Sequence, residues 1–485
     1  MKRIFIGITV LITLFLMLLL FRSMTSPSRQ KDYPAVSIPE ISPEAKRHLA
    51  EAISIPTISF GEESRFDSTA FQRYADFISR NYPLVDSLLE KKTFNDFSYL
   101  YHWKGSGDER DPILLMSHYD VVPVEPATIH NWRQPPYSGA IVADTIWGRG
   151  AIDDKTAGIA ILETFEQLLQ EGYRPRRDIY VALSHDEEKG GSRGASSMAA
   201  YLQERGVRFD YILDEGGAIT EGIIPGVEKE VALVGIAEKG YLNLELSTSL
   251  SGGHSSIPLG TNSIDVLTAG LARLRANPFP ARISEPLKLF FDYLGPESTL
   301  AMKFAFTNAD VLEPLILQGL SQIPQGKANI RTTMVPTIFS SGIKENVIPK
   351  VASANINLRI IPGETVESAI AYVRKTLDDD RIRIQAQDGA SDPSKVSDVE
   401  SEAYEMVCRS VREIFREVVV APHLLVGGTD SRYFAELTDH IFRFRPLRVN
   451  PDNIQSFHGL NERVTVADLE NSIRFYYQLV RNSAS

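Results

Sequence analysis

The sequence predicts an α/β fold with a mostly parallel sheet, interrupted by a smaller α+β unit. Three observations predict it. Short continuous apolar runs, Ile113-Leu114-Leu115-Met116, Ile179-Tyr180-Val181-Ala182-Leu183 and Tyr211-Ile212-Leu213, each stop just before a polar patch. Such runs suit strands buried on both faces, as in a parallel sheet. Helical patterns lie between them: Ile161, Phe165, Leu168 and Leu169 recur at helical spacing after Lys155, and a second stretch around 199–203 is ended by Gly206. Strands alternating with helices make βαβ units. The middle of the chain then changes period. Leu242, Leu244 and Leu246 alternate with polar residues, and 354–360 alternates again, as half-exposed strands do.

The smaller unit reads as strand 242–246, an amphipathic helix over 264–274, strand 354–360, a helix over 366–377 and a short strand at 382–384, with both helices on one face of an antiparallel sheet. A segment at about 285–329 interrupts it. That segment is rich in Leu, Phe and Ala, too apolar for disorder, and reads as extra helices. The helical pattern returns at 402–415. The larger unit is therefore split, and the expected boundaries are an N-terminal segment 1–22, a linker 23–42, the larger unit at 43–236 and 390–485, and the inserted unit at 237–389.

The chain has 485 residues, 43% of them hydrophobic, and a formal charge of −11. That charge argues against nucleic-acid binding, which is expected to show a basic surface. The single cysteine, Cys408, excludes an intrachain disulfide and a Cys-based metal site, and suits a small core position. Lys2-Arg3 precede an uncharged apolar run over 4–21, and Arg22 follows it. The run is long enough to span a bilayer and longer than a signal-peptide core of about 7–15 residues. It reads as an uncleaved signal anchor with the bulk of the chain on the extracytoplasmic side, a cleaved signal and secretion being the alternative. The polar, proline-containing stretch after it reads as a tether.

Five patches carry chemistry: His118-Tyr119-Asp120, 148–155 (GRGAIDDK), Asp186-Glu187-Glu188, Asp214-Glu215-Gly216-Gly217 and Phe457-His458-Gly459. Three sit at strand ends, where sites in α/β sheets gather. His118 and Asp120 are two apart, so on extended backbone they share a side, and the Asp can orient a metal-binding His. The 148–155 loop is glycine-rich but lacks the second half of a phosphate-loop pattern, and Asp153-Asp154 repel phosphate; an acidic loop entering a helix suits a carboxylate held for metal, or a helix cap. Adjacent Glu187 and Glu188 are costly unless a cation sits beside them. One can ligate while the other moves a proton. Any one patch alone is an ordinary polar turn. Together they point to a metal-dependent hydrolase. His254, among Ser251-Gly252-Gly253-His254-Ser255-Ser256, ends the first strand of the inserted unit, where glycines permit close approach to a ligand.

The order H-x-D, G-R-G-x-x-D-D-K, D-E-E, D-E-G-G and F-H-G resembles the co-catalytic di-zinc carboxypeptidase and aminoacylase family, from about residue 43 to the end. The strings 214–217, 253–256, 344–349 and 458–462 are most similar to its carboxypeptidase S and secreted N-acyl amino acid amidohydrolase branch. The resemblance implies a zinc-hydrolase catalytic domain with an inserted lid and dimerisation domain. It implies two Zn2+ per chain, bridged by Asp153, with His118 and Asp214 on one and Glu188 and His458 on the other. Glu187 would be the general base acting on water held by the two zinc ions, and Asp120 would orient His118. His254, Asn346, Arg359 and Gly428 would meet the substrate, His254 often in the partner's active site. The implied reaction is hydrolysis of an amide or peptide bond next to a C-terminal amino acid, in a homodimer. A catalytically inactive membrane-anchored binding protein and a di-metal phosphoesterase are the rival readings.

Overall fold

The structure, a computed structural model, describes residues 2–60, 63–107, 110–257 and 260–485. Its ten-stranded sheet is built around four parallel strands. Ile113–His118 pairs in parallel with Ile179–Ser184 on one side and Tyr211–Asp214 on the other, and Tyr211–Asp214 pairs in parallel with Ile441–Arg443. Antiparallel strands Ser98–Trp103 and Glu90–Phe94 close one edge. Beyond Ile441–Arg443 lies Val231–Glu238, to which Val419–Leu425 runs parallel. The apolar runs are continuous because both faces are covered. Leu115, Val181 and Leu213 join a core with Ile159, Leu162 and Ile473 from helices Lys155–Gln170 and Val466–Ala484. Leu114, Met116, Ala182 and Ile212 face the other way, onto Met198 and Leu202 of helix Ala195–Glu204. The expected mixed α/β architecture with a mostly parallel sheet is what forms.

A second sheet has four antiparallel strands in the order Thr333–Ser341, Val351–Ile360, Gly240–Ser249, Ile382–Ala386. Leu242, Leu244, Leu246, Ala354, Ile356 and Leu358 fall on one face by their period of two. There they meet Val266, Leu267, Ala369 and Val373 of helices Ser263–Ala276 and Val366–Leu377. Capping boxes at Asn262 and Thr365 start both helices.

The 285–330 segment forms four helices, Glu285–Leu294, Leu300–Thr307, Ala309–Leu320 and Pro324–Ile330. In sequence they interrupt the smaller unit. In packing they belong to the larger one, because Leu287, Phe291, Leu294, Phe306 and Ile330 join its core and Phe291 stacks on Phe306.

Among the described residues one helix, Lys2–Thr25, is long and apolar enough to cross a membrane. The segment behind it differs from the free tether that its composition suggests. The Gln30 amide donates to the Val420 carbonyl at 2.9 Å and accepts from the Val420 N–H at 2.8 Å. It thereby serves a strand that would otherwise show unpaired backbone groups. Lys31 and Tyr33 reach Glu405, Arg29 reaches Glu400 and Asp32 pairs with Arg412. Polar composition marked this stretch as solvated, but its side chains match partners nearly 400 residues away.

Candidate metal centre

Parallel strands bring the patches together. His118 is the last residue of its strand; Glu187 and Glu188 follow Ile179–Ser184 in a single helical turn, and Glu215 follows Tyr211–Asp214. Neighbouring carboxyl ends therefore meet at one rim. Asp153 comes from the loop entering helix Lys155–Gln170, and His458 from a turn in which it adopts φ +54°. A buried carboxylate joins those two loops. Glu462 accepts from the backbone N–H groups of Gly150, Ile152 and Asp153 at 3.1, 2.7 and 3.1 Å, and from Arg149 Nη1 at 2.6 Å. Arg149 Nη2 in turn donates to the carbonyls of His458 and Gly459.

The Asp153 carboxylate lies between the two histidines. Its Oδ1 is 3.3 Å from His118 Nε2 and its Oδ2 is 3.1 Å from His458 Nε2. His458 Nε2 is also 3.4 Å from Glu188 Oε1, and His118 Nε2 is 3.4 Å from Glu215 Oε1. Asp154, at the start of the helix, is fully buried and faces Arg445 at 3.6 Å. The Asp153–Asp154 peptide is cis.

Asp120 organises the rim from beneath. It accepts from Ser59 Oγ at 2.6 Å and from the N–H groups of Glu187 and Glu188, both at 3.1 Å, and it stands 3.3 Å from His118 Nδ1. Burial opposes its ionisation, yet His118, Ser59 and the Glu188 N–H hold it below the usual carboxylate range. Glu187 is the opposite case. Burial drives its carboxyl well above the usual range, and Glu215, Asp430 and Glu188 add to the rise. A carboxyl that holds its proton more readily than usual suits proton transfer at neutral pH.

At the next strand end Asp214, the expected ligand, and its neighbour Glu215 take different partners. Both Asp214 oxygens are taken by backbone donors, Oδ1 by the Glu215 N–H at 2.9 Å and Oδ2 by the Ser431 N–H at 2.9 Å. The neighbour, Glu215, turns toward His118. Its Oε2 is held by Arg445 at 2.9 Å, which leaves Oε1 facing the histidine. Burial, with Asp153 beside it, pushes Glu215 up to about 7. Spacing cannot separate neighbours in a D-E pair; in the fold Asp214 meets the Ser431 N–H and Glu215 meets His118.

On the substrate side, a Cβ built on Gly428 would lie 3.3 Å from Arg432 Nη1 and 3.9 Å from Arg359 Nη1. Arg359 and Gly428 are thus neighbours, with Arg432 as a second guanidinium. Arg359 lies over the Tyr241 ring, and Arg432 donates to the Gly190 carbonyl behind the Glu187 turn. His254 and Asn346 come together in a different place. Strand Gly253–His254 pairs with Val347–Ile348, and the Ser255 N–H donates to the Asn346 carbonyl. Among the described residues neither side chain bonds to the carboxylate cluster. Arg149, Arg432, Arg445 and Glu462 were not singled out from the sequence. Arg443 and Arg445 alternating beyond an apolar strand, and Glu462 closing the 458–462 string, were the available signals.

The donors fit metal ions. Two imidazoles and several carboxylates are the ligand types that zinc takes. Glu188 Oε1 and both Asp154 oxygens are buried without a hydrogen-bond partner, which is costly unless a cation is near. Among the described residues, His118, Asp153 and Glu188 converge in one group and His118, Asp154 and Glu215 in another. Fold and site together define a metallohydrolase of the α/β class.

Residues 114–482 match the description "Peptidase family M20/M25/M40", and the chain belongs to that family. It is 38% identical over 444 residues to the probable carboxypeptidase S-like 2 of Dictyostelium discoideum, spanning 91% of this chain and 85% of that one. It is 36% identical over 488 residues to the N-fatty-acyl-amino acid synthase/hydrolase PM20D1 of Xenopus tropicalis, spanning 99% and 94%. Among solved structures, the M20 metallo-carboxypeptidase Sso-CP2 of Sulfolobus solfataricus shares the fold with a TM-score of 0.68 at 18% identity, over 91% of this chain and 99% of that one. The protein is a metallopeptidase-family hydrolase.

The Glu462 clamp makes a direct prediction. Glu462→Gln leaves Arg149, 3% exposed, without its counter-charge. Stability should fall by about 3–5 kcal/mol in denaturant titration, with weaker metal retention on dialysis. Unchanged values on both would remove the clamp from the account.

Proposed function

We propose that the protein hydrolyses an amide or peptide bond next to a C-terminal amino acid, with Glu187 as the general base and two zinc ions as cofactor. The observation that carries the reading is the placement of Glu187. It is half-buried in the field of His118, the histidine that shares the Asp153 carboxylate with His458, and in that of Arg359. Asp153 would be the shared ligand, with His118 and Glu215 on one side and Glu188 and His458 on the other. Glu215 replaces Asp214 in this assignment because the Asp214 oxygens are already engaged. Metal ions bound there supply Lewis acidity, making water a stronger nucleophile and polarising the amide carbonyl. Glu187 takes a proton from the attacking water and returns it to the leaving nitrogen. Asp120 fixes the His118 ring and the turn that carries Glu187. Arg359, with Arg432 and the open backbone at Gly428, grips the substrate carboxylate.

Peptides and N-acyl amino acids both present a free carboxylate beside the scissile amide, so the same grip serves either. Relatives named carboxypeptidase S and N-fatty-acyl-amino acid synthase/hydrolase are both compatible with it. The helix Lys2–Thr25 is read as a membrane anchor, with the catalytic unit on the extracytoplasmic side. The four-stranded sheet is read as the dimer contact. Its edge strand Thr333–Ser341 exposes Val335, Ile338 and Phe339, an apolar edge of the kind that chains pair through. A partner would also bring a second His254 and Asn346 to the site.

Glu187→Gln should lower kcat by about 10²–10⁴-fold while zinc content by atomic absorption stays at the wild-type level. Activity within a few-fold of wild type would sink the assignment. Profiling dipeptides against long-chain acyl amino acids separates the substrate classes. Arg359→Ala should raise KM for the preferred one by more than tenfold and abolish its preference over the C-terminally amidated analogue; a retained preference would place the carboxylate elsewhere. Phe339→Glu should shift the mass in light scattering from dimer to monomer, and a dimer that persists excludes this edge as the contact.

A further inference from the structure

Helices Leu300–Thr307 and Ala309–Leu320 carry none of the candidate ligands, yet they meet the N-terminal helix in a specific way. Leu19 and Ser23 are the two buried residues of Lys2–Thr25. Both meet Asn308, whose Nδ2 donates to the Leu19 carbonyl at 3.2 Å and to Ser23 Oγ at 2.9 Å. One turn on, Arg22 Nη1 donates to both oxygens of Asp310, at 3.0 and 2.9 Å. The last turn of the apolar helix is therefore fixed to the junction of these two helices, and the docked 28–33 stretch holds the chain behind it.

Beyond that junction the outward face is apolar. Leu300 is 62% exposed, Val311 41% and Leu315 66%, with Pro314 exposed between them. Across 309–323 the charged residues are Asp310 and Glu313. Asp310 is engaged by Arg22, and Glu313 accepts from the Ile283 N–H. Val311, Pro314 and Leu315 share a helix face at spacings of three and four.

We infer that this face, Leu300, Val311 and Leu315, inserts into the surface of a lipid bilayer beside the N-terminal helix, so that the enzyme body lies on the membrane instead of swinging from it. The inference rests on reading Lys2–Thr25 as a membrane anchor. Geometry then fixes the depth. Arg22 ends the uncharged run and marks the polar boundary. Leu19, touched by Asn308, lies about 4.5 Å inside it, and Leu315 is at most about 7.5 Å along its helix from Asp310, at 1.5 Å per residue. Interfacial helices bury an apolar face about 5–10 Å deep, and Val311 and Leu315 lie within that distance of Asp310, which Arg22 holds at the polar boundary. Lys303 is the single basic residue of helices Leu300–Thr307 and Ala309–Leu320, so insertion should depend little on anionic lipid.

The test uses the full chain in phosphatidylcholine vesicles. Cys408 is changed to Ser, and a single cysteine is placed at Leu11, Leu315 or Ile343 and labelled with an environment-sensitive fluorophore. Ile343, 94% exposed on the smaller unit, is the solvent reference. Lipid carrying a deep doxyl quencher should quench the label at 11, lipid carrying a shallow one should quench the label at 315 and be accompanied by its blue shift, and both should leave 343 unchanged. Quenching at 11 without quenching at 315 overturns the inference while the anchor stands. Absence of quenching at 11 overturns the anchor reading, and the inference with it. A blue shift at 315 without lipid quenching means that protein, such as a second copy, covers the face, and overturns it too. Should the Cys408→Ser background fail to fold, Leu315→Trp in the natural chain with brominated lipid gives the same readout against the native Trp103, Trp132 and Trp147.

Discussion

The structure turns on the cost of gathering carboxylates at one end of a parallel sheet. Asp120, Asp153, Asp154, Glu187, Glu188, Asp214 and Glu215 meet at one rim, where each raises the cost of ionising the next. The protein offsets part of this itself. Backbone N–H groups satisfy Asp120 and Asp214, and Arg445, fully buried, reaches Asp153, Glu215 and Asp154. Asp153 is held well below the usual carboxylate range despite burial, because Arg445, His118 and His458 outweigh it. What remains is Glu188 Oε1 and the Asp154 carboxylate, buried without donors. A site that is neutralised almost everywhere except between its two histidines is built to receive cations there.

Holding such a cluster requires rigid supports from distant parts of the chain. The sheet supplies three adjacent strand ends. The fourth and fifth contributors, Asp153 and His458, are in loops, and loops alone place a ligand poorly. The Glu462 carboxylate and the Arg149 guanidinium solve this by tying both loops to each other with backbone hydrogen bonds. His458 keeps its positive φ inside that clamp. The pair is a buried salt bridge, and such pairs stabilise little by themselves. Here its value is positional.

The sheet strands were legible because a strand buried on both faces leaves a continuous apolar run, and each run ended on a reactive patch. The smaller unit was legible through its period of two in Leu242, Leu244 and Leu246. Asp214 and Glu215 could not be separated by pattern, since adjacent residues differ only in which finds the Ser431 N–H, 217 residues on. Arg445 and Glu462 were hidden for the same reason: their partners lie about 230 to 310 positions earlier, and nothing local marks a charged residue as buried. The 28–33 stretch reads as solvent-exposed by composition, yet its partners on helix Glu402–Ile414 and at Val420 exist only after folding.

The four-stranded sheet also constrains how the substrate is gripped. Gly240 pairs with Ile360 at one end, and Ser249 pairs with Val351 at the other. Arg359 stands at the first end, beside the larger unit, where it neighbours Gly428. His254 and Asn346 lie beyond the second end, past Ser249 and Val351. Eight residues of strand separate positions 351 and 359, about 27 Å at 3.4 Å per residue. A C-terminal amino acid held by Arg359 is a few ångströms long, so His254 of the same chain does not reach it across the sheet. On the proposed reading the pair would serve a partner's site, and the apolar edge strand Thr333–Ser341 offers the surface by which a second chain would approach. The reading of His254 as a partner-site residue and the reading of that edge as a dimer contact therefore depend on one another, and a monomeric enzyme with full activity would end both.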